Sequence, residues 1–117
     1  MVKKNLIEEK SKAFALEIIK LYKKLCDEKH EYILSKQLLR SGTSVGANIA
    51  EGENGQSRAD FFSKMNISLK EAAESAYWLE LLFESDYIDE EDFAKLHGDC
   101  EELVRILTAI TKQQKNK

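Results

Sequence analysis

Metal-ligating and nucleophilic side chains are sparse in this chain, and their spacing limits what they can do. Asp27-x-x-His30 sets an acid three residues before a histidine, once, near a helix end. A di-iron centre in a helical bundle needs two Glu-x-x-His pairs on facing helices and two further glutamates. His97 has Ala94, not an acid, three residues before it. His97 and Cys100 stand one turn apart, but two ligands fall short of a zinc site. Ser41 and Ser44 have no base close in sequence and lie in no G-x-S-x-G elbow. No G-x-x-x-x-G-K phosphate loop occurs either. The reading is of a protein that is not an enzyme, with no catalytic residue, metal, cofactor or evident small-molecule substrate.

The polar residues that do fall into register lie in Arg40–Gly52, R-S-G-T-S-V-G-A-N-I-A-E-G. Arg40, Ser44, Asn48 and Glu51 step at +4, +4, +3 and share one helical face. Three roles are open to that strip: a subunit contact, a ligand site, or a hydrogen-bonded network inside a bundle, since buried amides must find partners. Glu74 is the expected partner of Asn48 or Arg40. Ser41, Gly42, Ser44, Gly46 and Asn48 are all poorer helix formers than alanine, the glycines by about 1 kcal/mol each. Packing has to offset that cost. Gly42-x-x-x-Gly46, with Ala47 and Ala50, would let a neighbouring helix backbone come close. A second surface is the lysine face of the first helix, where Lys20, Lys23 and Lys24 are the candidate nucleic-acid contacts, with Tyr22 nearby. Such binding needs a basic face, often with aromatics; a plainly solvated face is the alternative.

The elements that position these residues are helices. Phe14, Ile18, Leu21 and Leu25 step at +4, +3, +4 in a first helix over about 4–29, and Ala15, Ile19, Tyr22 and Cys26 widen its apolar stripe. A second helix is expected over 35–51, with Ser35 as N-cap and Gly52 as the residue that stops it. Asn54-Gly55 then marks a turn. The third helix, 57–84, opens with Ser57 and Asp60 in a capping-box-like arrangement. Its expected core is Phe62, Met65, Leu69, Ala72, Ala76, Leu79 and Phe83, a seven-residue repeat. The fourth, 89–112, opens at Asp89, with Glu90, Glu91 and Asp92 where the helix dipole favours acids. Phe93, Leu96, Cys100, Leu103, Leu107 and Ile110 repeat the heptad through Gly98. Short connections and heptad seams predict an all-α, antiparallel up-down-up-down four-helix bundle, a single domain over 1–117.

Bulk properties agree with that expectation. The 117 residues contain no proline, which leaves long helices uninterrupted. No apolar run is long enough to span a membrane, and the charged start Met1–Lys12 lacks the apolar core of a secretory signal, so a cytoplasmic protein is expected. Cys26 and Cys100 read as small buried hydrophobes rather than a disulfide. The net charge of −3 is uneven. Residues 1–40 hold ten Lys and Arg against six Asp and Glu, and residues 41–117 hold eight against fifteen. The tail Lys112–Lys117 is basic again. Such a split could drive head-to-tail packing of subunits, or it could be no more than solvated faces.

The run Ser35–Gly52, S-K-Q-L-L-R-S-G-T-S-V-G-A-N-I-A-E-G, closely resembles the hallmark of small bacterial four-helix-bundle proteins first associated with reading frames in 23S rRNA intervening sequences. F-A-L-E-I-I-K-L-Y-K (Phe14–Lys23), Q-S-R-A-D-F (Gln56–Phe61) and Y-W-L-E-L-L (Tyr77–Leu82) match as well. The resemblance implies a left-handed bundle, a homopentameric ring and no established enzymatic activity. The family is similar to the accessory protein of diversity-generating retroelements, a pentamer that binds reverse transcriptase and nucleic acid. The chain departs from that family's pattern by Gly46, in a neighbourhood where proline is common, and from the basic retroelement protein by its acidic balance. Two expectations follow: a self-assembling interaction scaffold, or an accessory protein contacting RNA, the ribosome or a reverse transcriptase.

Overall fold

Helices carry nearly all of the chain. The computed structural model describes residues 2–115, with side chains over 6–114. Its helices are α1 (Val2–Lys24), α2 (Leu34–Glu53), α3 (Arg58–Glu84) and α4 (Glu90–Lys112). A π turn, Leu25–Lys29, prolongs α1, and a 3-10 turn, Gln113–Lys115, follows α4. No strand occurs among the described residues. The end of the basic tail, Asn116 and Lys117, lies outside them. The helices pack into a body of 48 × 22 × 21 Å. Both α1 and α3 lie against α2 and α4, which places α1 and α3 across the bundle from one another.

Local chemistry fixes the ends. The Ser57 hydroxyl accepts the Asp60 N–H at 3.1 Å, and the Asp89 carboxylate accepts the Asp92 N–H at 2.7 Å, so both expected caps form. Ser35 is not the cap of α2; it sits inside the helix, buried. Glu31 takes that role from outside. Its carboxylate accepts the N–H groups of Ile33, Leu34 and Ser35 at 3.1, 2.9 and 2.7 Å, and the Ser35 hydroxyl returns a bond to the Glu31 carbonyl at 2.8 Å. Burial alone would raise this carboxyl; the three backbone donors outweigh it and hold it below the ordinary value of 4.5. At the far end of α3, Asp86 adopts a left-handed φ of 69° while Tyr87 N–H reaches back to Leu82 C=O at 2.8 Å, closing the helix in a Schellman arrangement.

The core is apolar, with one polar seam. Ile7, Phe14, Ile18, Leu21 and Leu25 of the first helical stretch face Leu38, Val45 and Ile49 of α2 and Leu96, Cys100, Leu103 and Leu107 of α4. On α3 the buried positions are Phe62, Met65, Ser68, Ala72, Ser75, Leu79 and Leu82. Leu69, Ala76 and Phe83, expected in the core, are half-buried, and Ser68, Ser75 and Leu82 take the inner places. The reason lies on α2. Its small side chain at Ser41 lets α3 come close, and hydroxyls fit there because each finds a partner. Ser75 Oγ meets Ser41 Oγ at 2.8 Å, and Ser68 Oγ donates to the Val45 carbonyl at 2.8 Å. Phe83 stacks instead on Phe93, ring centroids 4.4 Å apart.

The glycines of α2 are explained by proximity. A Cβ on Gly42 would stand 3.1 Å from two carbons of Ile18 on α1, and one on Gly52 would stand 2.7 Å from Met65 Cε on α3. Gly52 does not end the helix through a positive φ; α2 continues to Glu53, and Gly52 is there because α3 crosses it. Cys100 is buried as expected and donates its thiol to the Ala72 carbonyl at 3.0 Å, burial pushing it up to about 12. Cys26 is only half-buried, which corrects the expectation of two core cysteines.

Candidate interaction surface

The polar strip of α2 divides into parts with different tasks. The Arg40 guanidinium crosses to α3, where Nη1 lies 3.2 Å from a Glu71 carboxylate oxygen and Nη2 pairs with Glu74. Trp78 Nε1 donates to the same Glu74 oxygen at 2.9 Å. With Arg40 first and Trp78 second, these donors hold the Glu74 carboxyl below its usual range, and Glu74 in turn raises the guanidinium. Ser44 turns inward on its own helix and donates to the Arg40 carbonyl at 2.7 Å. Asn48 donates to the Ser44 carbonyl at 2.8 Å, so it is Arg40 and not Asn48 that engages Glu74. Glu51, exposed at the other end, reaches Lys64 of α3 at 2.8 Å. Arg40 and Glu51 thus clamp α2 to α3 at two heights, with the serine seam between them. Ser41, Ser68 and Ser75 were missed as a group by the sequence reading; the seven-residue spacing of Ser68 and Ser75 is the signal that could have found them.

The lysines of α1 are partly engaged. Lys20 lies 3.6 Å from Glu17, and Lys24 lies 3.6 Å from Asp92 of α4. Lys23 is exposed. Lys10 reaches Glu102 at 3.2 Å. The histidines stand apart: His30 Nδ1 is 3.1 Å from the Tyr32 hydroxyl, while His97 Nε2 is 2.9 Å from Glu80. Among the described residues no group of three or more His, Cys, Asp or Glu is arranged to hold a metal ion. Between α1 and α2 runs a shallow groove of about 400 Å³, floored by Ser11, Ala15, Gly46, Ala47 and Ala50. Elsewhere the surface carries large apolar side chains in the open. Leu6 and Leu16 on α1 are 45% and 52% exposed, and Ile67 and Tyr77 on α3 are 38% and 53% exposed.

Comparison with known proteins supplies a family. A family model described as 23S rRNA-intervening sequence protein matches residues 3–109. The chain belongs to that family. A crystal structure of a protein with unknown function from the S23 ribosomal protein family of Bacteroides thetaiotaomicron superposes with a TM-score of 0.92 at 51% identity. The match covers 94% of this chain and 98% of that one. No curated protein matches the sequence. For this intervening-sequence family protein, neither comparison indicates an enzymatic class. The Arg40–Gly52 strip lies wholly inside the matched segment, as do both exposed apolar faces.

Proposed function

We propose that this protein is a non-enzymatic, self-assembling helical bundle of the cytoplasm that acts as an oligomeric interaction scaffold, a homopentamer being the favoured state. The observation that carries the reading is the pair of open apolar faces, Leu6 with Leu16 and Ile67 with Tyr77, on helices otherwise well packed. Single exposed apolar residues are ordinary on a surface, but a pair on each of two opposite helices suits a protein partner. The bundle itself is read as up-down-up-down with left-handed coiling. Contacts step in opposite senses between neighbours: Gly42 meets Ile18 and Gly46 meets Ser11, while Arg40 meets Glu74 and Glu51 meets Lys64. Heptad spacing favours the left hand. In this reading Arg40, Glu51 and Glu74 serve assembly indirectly, by fixing α2 on α3. No helix among the described residues is long and apolar enough to cross a membrane.

The test is the mass in solution by light scattering after low-salt purification, with the 260/280 nm absorbance ratio read on the same peak. A nucleic-acid-free peak near five times 13.4 kDa supports the scaffold. A monomer at micromolar concentration overturns it. Excess 260 nm absorbance that vanishes in high salt would put RNA binding through Lys20, Lys23 and Lys24 first instead.

A further inference from the structure

The outer faces of α1 and α3 carry the same spacing. On α1 the exposed positions include Leu6, Glu9, Ala13, Leu16, Lys20 and Lys23; on α3 the matching series is Ile67, Lys70, Glu74, Tyr77, Leu81 and Glu84, of which Glu74 and Leu81 are half-buried. Both series step +3, +4, +3, +4, +3. Set side by side in the same direction, Leu6 comes level with Ile67 and Leu16 with Tyr77. Glu9 then meets Lys70 and Lys23 meets Glu84, two complementary levels, while Lys20 comes level with half-buried Leu81. Ala13, the smallest residue of the α1 series, comes level with Glu74, whose carboxylate Arg40 and Trp78 already hold. Reversing one helix with the apolar levels kept sets Glu9 against Glu74, a like-charge pair, and Lys23 against Asp60, an opposite-charge pair. The parallel setting has two complementary levels against one, and charge favours it.

We infer that the outer face of α1 on one copy docks, parallel and in this register, on the outer face of α3 of the next copy. The inference rests on the self-assembly proposed above and adds which surfaces meet. Because α1 and α3 lie across the bundle from one another, the two faces point in different directions. Each copy therefore offers one donor face and one acceptor face, a heterologous contact that propagates head to tail and closes into a ring when the rotation permits. A rotation about an axis along the bundle keeps α1 and α3 pointing the same way, as the parallel register requires.

Complementation tests this directly. Leu16→Glu disables the α1 face and Tyr77→Glu disables the α3 face; both sites are exposed, and helical circular dichroism confirms that each variant is folded. Each alone is expected to run at the monomer mass. Mixed in equal amounts, they are expected to form a dimer and stop, because one intact α1 face meets one intact α3 face and nothing can add further. As a second measurement, Lys23→Glu and Glu84→Lys are each expected to weaken assembly about fivefold at low salt, and together to restore it. If the unaltered protein is itself a monomer, self-assembly fails and this inference with it. If it assembles but Leu16→Glu and Tyr77→Glu leave its mass unchanged, or their mixture stays monomeric, self-assembly stands and the α1–α3 contact is overturned.

Discussion

Glu31 is the residue whose single side chain organises most backbone. It lies outside α2, is 8% exposed, and satisfies three N–H groups that the helix itself cannot. A carboxylate does this better than a neutral amide, because charge strengthens each bond and favours the positive end of the helix. Glu31→Gln is expected to destabilise the fold by about 1–2 kcal/mol at pH 7. The sign with pH follows from the lowered value. A carboxyl held below 4.5 in the folded state contributes fully above that pH and loses its contribution as pH falls through its folded value. Denaturation curves of the two proteins should therefore separate at pH 7 and draw together as the pH falls below 4.5. A gap that stays constant would assign the effect to shape rather than charge. This cap was not legible in the sequence, where Ser35 matched the familiar signal; a glutamate four residues before Ser35 matches none.

At the scale of elements, the helices were legible because their apolar periods are long and regular, and both caps with a matching acid at the third position formed as expected. What escaped was how closely neighbours approach, which periodicity does not encode. The apolar spacing put Leu69 and Ala76 in the α3 core; the small face of α2 decided for Ser68 and Ser75 instead. Glycines test the same idea. Gly98 on α4 has nothing within 4 Å of an added Cβ, so Gly98→Ala should stabilise by up to about 1 kcal/mol. Gly42→Ala gains the same propensity but presses on fully buried Ile18, an overpacking cost of about 1–3 kcal/mol. Thermal melts should move in opposite directions. Equal rises would mean that α1 can move aside from α2.

At the scale of the whole molecule, part of the charge asymmetry is resolved within the chain. Lys10 and Lys24 of the basic first third reach acids of α4, and Arg40 reaches acids of α3. Exposed pairs of this kind are worth little singly. Assembly adds a larger effect: if the folded protein is held in a ring, unfolding also dissociates it, and its midpoint depends on concentration. Melting followed over a hundredfold range of protein concentration should show a rising midpoint; a flat one would describe bundles that unfold independently. How the strip around Asn48 was to be used could not be read in advance, because a side chain that bonds to its own helix and one that bonds to a neighbour have the same spacing.

The π turn at Leu25–Lys29 bears on how the chain accommodates an added residue. It holds one residue more than an α-helical turn, and the chain leaves it through His30 at a φ of 54°. In an unbroken α-helix an extra residue would swing everything beyond it by about 100°. α2 would then be carried round as a unit, away from the Ile18 and Ser11 side chains on which Gly42 and Gly46 now sit. A bulge absorbs the addition locally and leaves α2 in place. An added residue at this corner is thus taken up without renegotiating the rest of the bundle.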